Sequence, residues 1–234
     1  MSRRIRFQCI GETGSNDAAV ASKASTGANT NSFTQSTATR KPKVKSSSNA
    51  DSSIKSFFTS LLCDGSSVLG LASSESLAGV TPHTIIFAWT SGDYTNDTWL
   101  VSSTTGNGHY GIDAGGGGVL FKNASAKSTE ASIATSTTNG GTTAYTFGSG
   151  VEMIAFVNDG ANKIDVYNID GDLIGTNTSA GNSSAFPIDY ILGKSDGTRG
   201  LNGEIIDFQV FGNTAMSASL IKGYGNQYKQ IKST

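Results

Sequence analysis

Apolar residues in the C-terminal half of the chain occur in short runs separated by small, turn-forming residues. The runs lie at residues 151–157, 163–167, 173–174, 190–193 and 203–211. They have about the length of β-strands, and the breaks contain the Gly, Asn and Asp that tight turns favour. Asp170-Gly171 in particular predicts a hairpin turn between the two runs that flank it.

The last of these runs alternates between a polar and an apolar face. A regular strand places alternate residues on opposite faces, so the even positions from 204 to 210 form one mostly apolar face. We expect that face to pack against a core. The same alternation predicts that the carboxylates of Glu204 and Asp207 point to opposite sides of the sheet.

Further strand-like runs precede this region, at residues 84–89, 99–102, 110–113, 118–121 and 143–147. Short strands at intervals of about ten residues are typical of a β-sandwich. The Ser-, Thr- and Ala-rich segment 124–141 is predicted to contribute an edge strand, anchored by Ile133, and a long loop. Ser217 is predicted to cap a final helix that carries Leu220, Ile221 and Tyr224.

Three motifs occur in order within the C-terminal runs. They are an apolar strand ending in Asn-Asp-Gly (154–160), I-x-V-Y-x-x-x-G (164–171), and L-G followed by L-N-G-x-I-x-D-F-x-V-F (192–211). Their order and spacing resemble the laminin-G-like branch of the concanavalin A-type jelly rolls, over residues 84–228. The family often has a Trp entering the first of these strands, where this chain has Val151-Glu152. The resemblance implies an all-β, concanavalin A-like jelly-roll β-sandwich.

Composition divides the chain at residue 56. Residues 1–56 carry nine Lys or Arg and three acids, whereas residues 57–234 carry eight bases and fifteen acids. Residues 11–56 contain few large apolar side chains, so they bury too little surface to offset their ordering entropy alone. We therefore predict two parts: residues 1–56 as a basic, low-complexity extended arm ordered by partner subunits, and residues 57–234 as the laminin-G-like sandwich.

The termini and cysteines bear on where the chain is located. No run of about 18 apolar residues occurs, which predicts no membrane span. The first residues lack the apolar core of a secretory signal, so we expect the chain to be made and assembled in a host cytoplasm. Cys9 and Cys63 are interpreted as thiols, with a disulfide between them as the alternative.

The residues that could support catalysis do not form a recognised site. Glucanases that share the jelly roll carry carboxylates on one strand as E-x-D-x-x-E, whereas here Glu204 and Asp207 are expected on opposite faces. His83 and His109 have no Ser, Cys or second His at motif spacing. The glycine run 115–118 lacks the pattern of a phosphate-binding loop. The sequence therefore predicts a non-enzymatic protein without a cofactor, with a glycoside hydrolase as the less favoured reading.

Aromatic and polar residues near two predicted loops are the candidate carbohydrate-binding residues. Sugar sites combine aromatic side chains with polar groups that fix the hydroxyls. The candidates are Asp93, Tyr94, Asn96, Asp97, Trp99 and Tyr110. The alternative is that the three aromatic residues belong to the core or to a sheet edge.

Acidic residues in turns raise the question of calcium. Asp159, Asp170 and Asp172 lie in predicted turns, and Asp93 and Asp97 lie in one loop. Loop carboxylates suit Ca²⁺, but Asp is also a common turn residue. We interpret these residues as turn formers, with calcium as the alternative, and assign no metal ligand.

The basic arm carries the candidate assembly residues. These are Arg4, Ile5, Arg6, Phe7, Phe33, Arg40, Lys41, Lys43 and Lys45. No stacking aromatic residues interleave with the basic run 40–45, and the body is acidic, so a protein surface is a better partner than nucleic acid. The apolar members are expected to anchor the arm on neighbouring subunits by strand addition.

An ordered arm, the absence of a secretory signal and a lectin-like body lead to a functional hypothesis. The chain is predicted to be a bacteriophage virion structural protein of the capsid decoration, cement or head-fibre type. Its partners would be other virion subunits and copies of itself, and the body would face outward, towards a host surface glycan. The alternatives are a stand-alone glycan-binding module and a tail-associated receptor-binding protein.

Overall fold

The architecture was obtained as a computed structural model. It describes residues 2–8, 19, 22–24, 32–45, 60–77, 81–90, 98–104, 109–112, 119–122, 131–133, 147, 150–161, 163–178 and 186–231. Within these residues no helix is both long enough and apolar enough to cross a membrane.

The described residues form strands, one short 3₁₀ helix at Ala38–Arg40 and one α-helix near the C-terminus. The strands are β1 (Ser2–Gln8), β2 (Ser22–Ala24), β3 (Ser32–Thr34), β4 (Lys43–Lys45), β5 (Ser60–Asp64), β6 (Leu69–Leu77), β7 (His83–Thr90), β8 (Thr98–Ser102), β9 (His109–Ile112), β10 (Val119–Lys122), β11 (Ala131–Ile133), β12 (Val151–Asn158), β13 (Ile164–Tyr167), β14 (Leu173–Asn177), β15 (Phe186–Ile191) and β16 (Asn202–Gly212). The helix α1 covers Ala218–Lys229.

The strands form two antiparallel sheets that face each other. The first sheet has the order β14-β13-β12-β7-β16-β5-β4, and β1 pairs with the remaining part of β16. The second has the order β11-β10-β9-β8-β15-β6-β3-β2. This arrangement confirms the predicted all-β jelly-roll sandwich.

The centre of the first sheet is buried on both faces. Along β7, Phe87 and Trp89 belong to the main core between the sheets, whereas Ile86 and Ala88 belong to a second cluster. The second cluster includes Ile221 of α1. Because helix and facing sheet cover opposite sides of β7, the strand is a continuous apolar run rather than an alternating one.

A bulge in β16 changes the predicted pattern of faces. Phe208 and Val210 belong to the main core, as expected, but so does Ile205, whereas Ile206 belongs to the cluster under α1. The register shifts between Ile205 and Asp207. An extra residue at a bulge reverses the alternation on one side of it, so the regular alternation predicted for residues 204–206 is wrong.

The described parts of residues 1–56 belong to the sandwich itself. Strand β1 pairs with β16, β3 pairs with β6, and β4 pairs with β5. Phe33 is completely buried in the main core, where its ring lies 6.4 Å from that of Phe208. Val44 is also buried there. The predicted division at residue 56 is therefore wrong for these strands, because few apolar residues suffice when each fills a place in an existing core.

Two smaller predictions are confirmed, and a third is confirmed only in part. Strands β13 and β14 pair as the predicted hairpin, and Gly171 adopts a φ of 77° in its turn. Strand β11, which ends at Ile133, lies at the edge of the second sheet. Helix α1 follows Ser217, but the Ser217 hydroxyl contacts Ser219 and makes no capping hydrogen bond. Ile221 is buried, whereas Leu220 is exposed.

Candidate functional site

A cleft lies on the outer face of the second sheet, where β3, β6 and β15 run side by side. Its volume is about 570 Å³. Thr34 pairs with Gly70, and Gly70 pairs with Tyr190, so the three residues form one row across the sheet. Their chain neighbours Phe33 and Leu69 belong to the main core. Alternation therefore places the row on the opposite, outward face.

Tyr190 lies in this cleft against Gly70, because a glycine partner leaves room for its ring. A Cβ atom at Gly70 would lie 3.2 Å from Cε1 and 3.4 Å from Cδ1 of the Tyr190 ring. The edge of the ring therefore lies directly against the backbone of β6. The next residue, Leu71, is half-buried and packs against the main core on the other side of the sheet. The apolar surface of the cleft is therefore the Tyr190 ring, set against a glycine.

The segment after β3 forms one wall of the cleft and is fixed by its own hydrogen bonds. The Gln35 amide donates to the Val68 carbonyl at 2.8 Å, and the Thr37 N–H donates to Oε1 of Gln35 at 2.9 Å. The Arg40 carbonyl accepts from the N–H of Val68 at 3.0 Å. Its guanidinium donates to the carbonyl of Ser195 at 3.0 Å. The wall is thus tied to two other segments of the chain.

The loop of residues 192–201 forms the facing wall. Its ends meet where Leu201 donates to the carbonyl of Leu192 at 2.9 Å. Gly197 adopts a φ of 78°, and a Cβ there would lie 2.6 Å from Nε of Arg40. Only glycine allows this backbone conformation and this approach without strain. The loop therefore holds Ser195 and the Arg40 guanidinium together at the cleft.

The lining has the composition of a polar binding site with one apolar surface. Besides Tyr190, Leu71 and Gly70 it contains hydroxyl, amide and guanidinium side chains, from Thr34, Gln35, Ser36, Thr37, Arg40 and Ser195. None of the described lining residues is Asp or Glu. These groups can hydrogen-bond a polar molecule and stack against it. They supply no carboxylate pair or nucleophile–base pair of the kind that hydrolysis needs.

Two of the predicted carbohydrate-binding residues are buried rather than exposed. Trp99 is 6% exposed, and its indole stacks on the ring of His109 with centroids 4.0 Å apart. Tyr110 is 3% exposed, and its hydroxyl lies 3.2 Å from Nε2 of His83. A tyrosine tolerates burial when its hydroxyl has a partner. The prediction that these two rings are sugar platforms is therefore wrong.

Burial also governs ionisation around Tyr110. It raises the pKa of the Tyr110 hydroxyl, and it lowers the pKa of His83 to about 4.

The other four predicted carbohydrate-binding residues lie outside the described residues. They are Asp93, Tyr94, Asn96 and Asp97.

The predicted assembly residues are distributed over four places in the fold. Arg4, Ile5, Arg6 and Phe7 lie in β1, against β16 of the same chain. Phe33 is in the core and Arg40 lines the cleft. Lys43 and Lys45 flank the buried Val44 in β4, and Lys41 precedes them, half-buried.

Arg6 makes the most buried ion pair among the described residues. Its guanidinium donates to Asp207 at 2.9 Å and 3.2 Å, and the Asp207 side chain is completely buried. The hydroxyl of Tyr228 and the amide of Gln209 also donate to this carboxylate, each at 2.9 Å. Burial acts to lower the pKa of Arg6, but the hydrogen bond and charge of Asp207 outweigh it and raise the pKa.

The two acids considered for hydrolysis have other roles. Glu204 accepts a hydrogen bond from Ser60, whose neighbour Leu61 points into the main core. Glu204 therefore lies on the outer face of the first sheet, as does Asp207 beneath α1, and the prediction of opposite faces is wrong because of the bulge. Asp207 is closed off by the groups that bond to it.

Two of the turn acids that were considered for calcium accept hydrogen bonds from other groups of the chain. Asp159 accepts from the N–H groups of Ala161 and Lys163, and Asp170 accepts from the Lys229 ammonium. In the part of the chain that the structure describes, no three His, Cys, Asp or Glu side chains gather as metal ligands would. Cys63 is a free, buried thiol.

Sequence reasoning missed the residues that line the cleft, apart from Arg40. Tyr190 looked like one more strand residue, and Thr34 to Thr37 looked like part of a featureless polar segment. Gly70 next to an apolar run was the available signal, because an isolated glycine in a strand often marks a close approach.

No protein-family model matches the sequence. No curated protein matches it either.

Solved structures do share the fold. The binding domain of Paraclostridial Mosquitocidal Protein 1 superposes with a TM-score of 0.61 at 14% identity, over 97% of this chain and 52% of that one. A GH54 α-L-arabinofuranosidase soaked with a cyclic sulfate inhibitor gives 0.64 at 11% identity, over 92% and 51%. The botulinum neurotoxin serotype D ligand binding domain in complex with N-acetylneuraminic acid gives 0.54 at 13%, over 97% and 51%.

This chain thus spans about half the length of the structures that it matches. At such low identities the similarity shows the fold, which is an all-β jelly-roll sandwich.

Proposed function

We propose that this chain is a carbohydrate-binding β-sandwich module that holds a saccharide in the cleft between Thr34, Arg40 and Tyr190. The observation that carries the proposal is the Tyr190 ring, held against Gly70 on the floor of a cleft of about 570 Å³. Sugar rings present an apolar face and a rim of hydroxyls, and the cleft offers a matching aromatic surface and polar walls.

The matched structures support this class of function without identifying a ligand. The botulinum neurotoxin serotype D domain was solved with N-acetylneuraminic acid, and another match is an α-L-arabinofuranosidase. Both proteins therefore handle saccharides, although only half of each length corresponds to this chain. A saccharide is accordingly the first ligand class to test.

The structure removes part of the argument for a virion structural protein. That hypothesis relied on an arm that neighbouring subunits order, whereas Phe33, Val44 and Arg6 have partners within this chain. The virion role stays a prediction. Its test is co-purification of this chain with a viral particle from the native source.

The proposed module binds without catalysis. Among the residues that the structure describes, the cleft lining has no carboxylate, and Asp207 is enclosed beneath α1. Glycoside hydrolysis normally needs two carboxyl groups on either side of the scissile bond. Incubation with the bound saccharide should therefore leave it intact, as read by chromatography.

The direct test is binding of the purified chain to an array of neutral and acidic oligosaccharides, followed by calorimetric titration of the best ligand. Replacing Tyr190 by Leu should lower the affinity about fivefold, since an aromatic contact contributes about 1 kcal/mol beyond its area. Thermal unfolding of the variant shows whether the fold is retained.

Tyr167→Leu is the matched control. Tyr167 is also a half-buried strand tyrosine, but it packs against the cluster under α1. The Tyr167→Leu variant should bind the saccharide with the same affinity as the native chain. Equal loss in both variants, or no saccharide bound by the native chain, would overturn the proposed function.

A further inference from the structure

The composition of the cleft narrows the class of saccharide. We propose that the cleft selects an anionic saccharide, whose carboxylate or sulfate is bound by Arg40 while its ring lies on Tyr190. This inference rests on the proposed function, because it names the ligand class of the same site. The argument for it is the charge of the described lining residues.

Arg40 is placed to bind an anion. Its guanidinium is half-buried and uses a hydrogen bond to the carbonyl of Ser195 at 3.0 Å to fix its position. A guanidinium has five N–H donors, so further donors remain for a ligand. A cation that is fixed in advance loses little freedom when it binds a carboxylate or sulfate.

No acidic side chain of the described residues neutralises this cation. The described part of the lining contains no Asp or Glu, and the nearby loop acid Asp196 pairs with Lys194 at 2.9 Å. Within the described part of the chain no carboxylate lies at ion-pair distance from Arg40. The cleft therefore presents an excess positive charge, which favours an anionic ligand and disfavours a cationic one.

Hydroxyl side chains in the walls of the cleft can hydrogen-bond the polar groups of a sugar ring. Thr34, Ser36 and Thr37 bring hydroxyl groups that both donate and accept hydrogen bonds. The hydroxyl groups of neutral sugars donate hydrogen bonds, for which carboxylates are the strongest acceptors. The described lining residues include no carboxylate. The set of one cation, several hydroxyls and one ring therefore matches an acidic sugar better than a neutral one.

The experiment compares pairs of saccharides with the same sugar backbone, one member of each pair being anionic and the other neutral. Short oligogalacturonates are titrated against their methyl esters, and sulfated dextran oligosaccharides against unsulfated ones. We expect the acidic member of at least one pair to bind about tenfold more tightly, the size of one charge-assisted hydrogen bond. The two pairs separate carboxylate from sulfate recognition.

Variants assign that preference to the guanidinium. Arg40→Gln should lower the affinity for the acidic member about tenfold more than the affinity for the neutral member, and so remove the preference. Arg40→Lys keeps the positive charge but loses the planar guanidinium, which can donate two parallel hydrogen bonds to one anion. This variant should therefore retain only part of the preference for the acidic saccharide. Lys43→Gln is the matched control, because it removes the same charge from an exposed position in β4 of the other sheet.

The outcomes separate this inference from the proposed function. Equal binding of the acidic and neutral members, still weakened by Tyr190→Leu, would overturn the inference and leave the function intact. Binding of no member of any pair, together with no saccharide on the array, would overturn both. If Arg40→Gln does not fold, the comparison of charged and neutral ligands on the native chain remains decisive.

Ionic strength provides an independent readout. Raising the salt concentration from about 0.01 M to about 0.15 M shortens the Debye length from about 30 Å to about 8 Å. The affinity for the acidic member should fall over this range, and the affinity for the neutral member should not. A preference that is insensitive to salt would contradict recognition by charge.

Discussion

Arg6 and Asp207 join the first strand of the chain to the centre of β16. The Asp207 side chain is completely buried, whereas that of Arg6 is 23% exposed. Removing one partner of a buried ion pair leaves an uncompensated charge, which typically costs about 3–5 kcal/mol. We expect Arg6→Met to lower the free energy of unfolding by about 3 kcal/mol, measured by urea denaturation.

The double variant Arg6→Met/Asp207→Leu tests the physical reason. It removes both charges, so it should be more stable than Arg6→Met alone. The control is Lys163→Met, which breaks the ion pair with Asp165 where the lysine is 44% exposed. An exposed pair contributes at most about 1 kcal/mol. A loss at Arg6 no larger than the loss at Lys163 would contradict the buried-pair interpretation.

His83 links stability to pH. Burial lowers its pKa from 6.5 to about 4, and its ring contacts the Tyr110 hydroxyl and the Thr81 carbonyl. Between these pH values the unfolded chain binds a proton that the folded chain excludes, so acidification favours unfolding. The contribution of His83 to stability is fully present above pH 6.5 and is lost as the pH falls towards 4.

We expect this single group to account for about 2 kcal/mol of the stability lost between about pH 7.5 and about pH 5. The measurement is urea unfolding of the native chain and of His83→Gln at both pH values. The glutamine does not titrate, so the variant should lose less stability on acidification. Parallel losses in the two proteins would show that His83 is not buried in its neutral form.

At the scale of elements, α1 depends on one of its two internal glycines. A Cβ at Gly225 would lie 1.8 Å from the carbonyl oxygen of Ile169, whereas a Cβ at Gly223 meets nothing within 4 Å. Gly225 therefore permits the close approach of the helix to the β13–β14 turn. Gly223 has no such role and only lowers helix propensity.

The two alanine variants should have opposite effects on the free energy of unfolding. Gly223→Ala should stabilise by about 0.5–1 kcal/mol through helix propensity. Gly225→Ala should destabilise by about 1–3 kcal/mol, because the helix must move away from the first sheet. Thermal unfolding of both variants measures this contrast. Effects of the same sign would show that α1 does not pack on the turn in this way.

At the scale of the whole molecule, the N-terminal strands and the body form one unit. Phe33 is completely buried, and truncating a buried phenylalanine to alanine costs about 3–5 kcal/mol. We expect Phe33→Ala to lower stability by that amount, whereas Leu173→Ala, at a position that is 55% exposed, should change it little. Calorimetry of the full chain reports both.

Deletion of residues 1–56 tests the same point more severely. It removes β1, β3 and β4 together with the core side chains of Phe33 and Val44. The truncated chain should lose cooperative unfolding and bind hydrophobic dyes. A truncated chain with an unchanged melting temperature would restore the separate arm that the sequence predicted.

The sequence by itself determined the fold class and most C-terminal elements. Apolar runs of strand length with Gly, Asn and Asp between them are local signals, and they lead directly to β12, β13, β14 and β16. The Asp170-Gly171 hairpin and the helix after Ser217 are local in the same sense. Such features depend on residues close together in the chain, so a reading of neighbouring positions is sufficient.

Tertiary structure alone decided the faces, the role of the N-terminal segment and the site. The bulge at Ile206 reversed a face that regular alternation predicted, because pairing with β7 sets the register. Phe33 is a core residue only because two sheets enclose it. Thr34, Gly70 and Tyr190 are far apart in sequence, and strand pairing alone brings them to one row with Arg40 beside it.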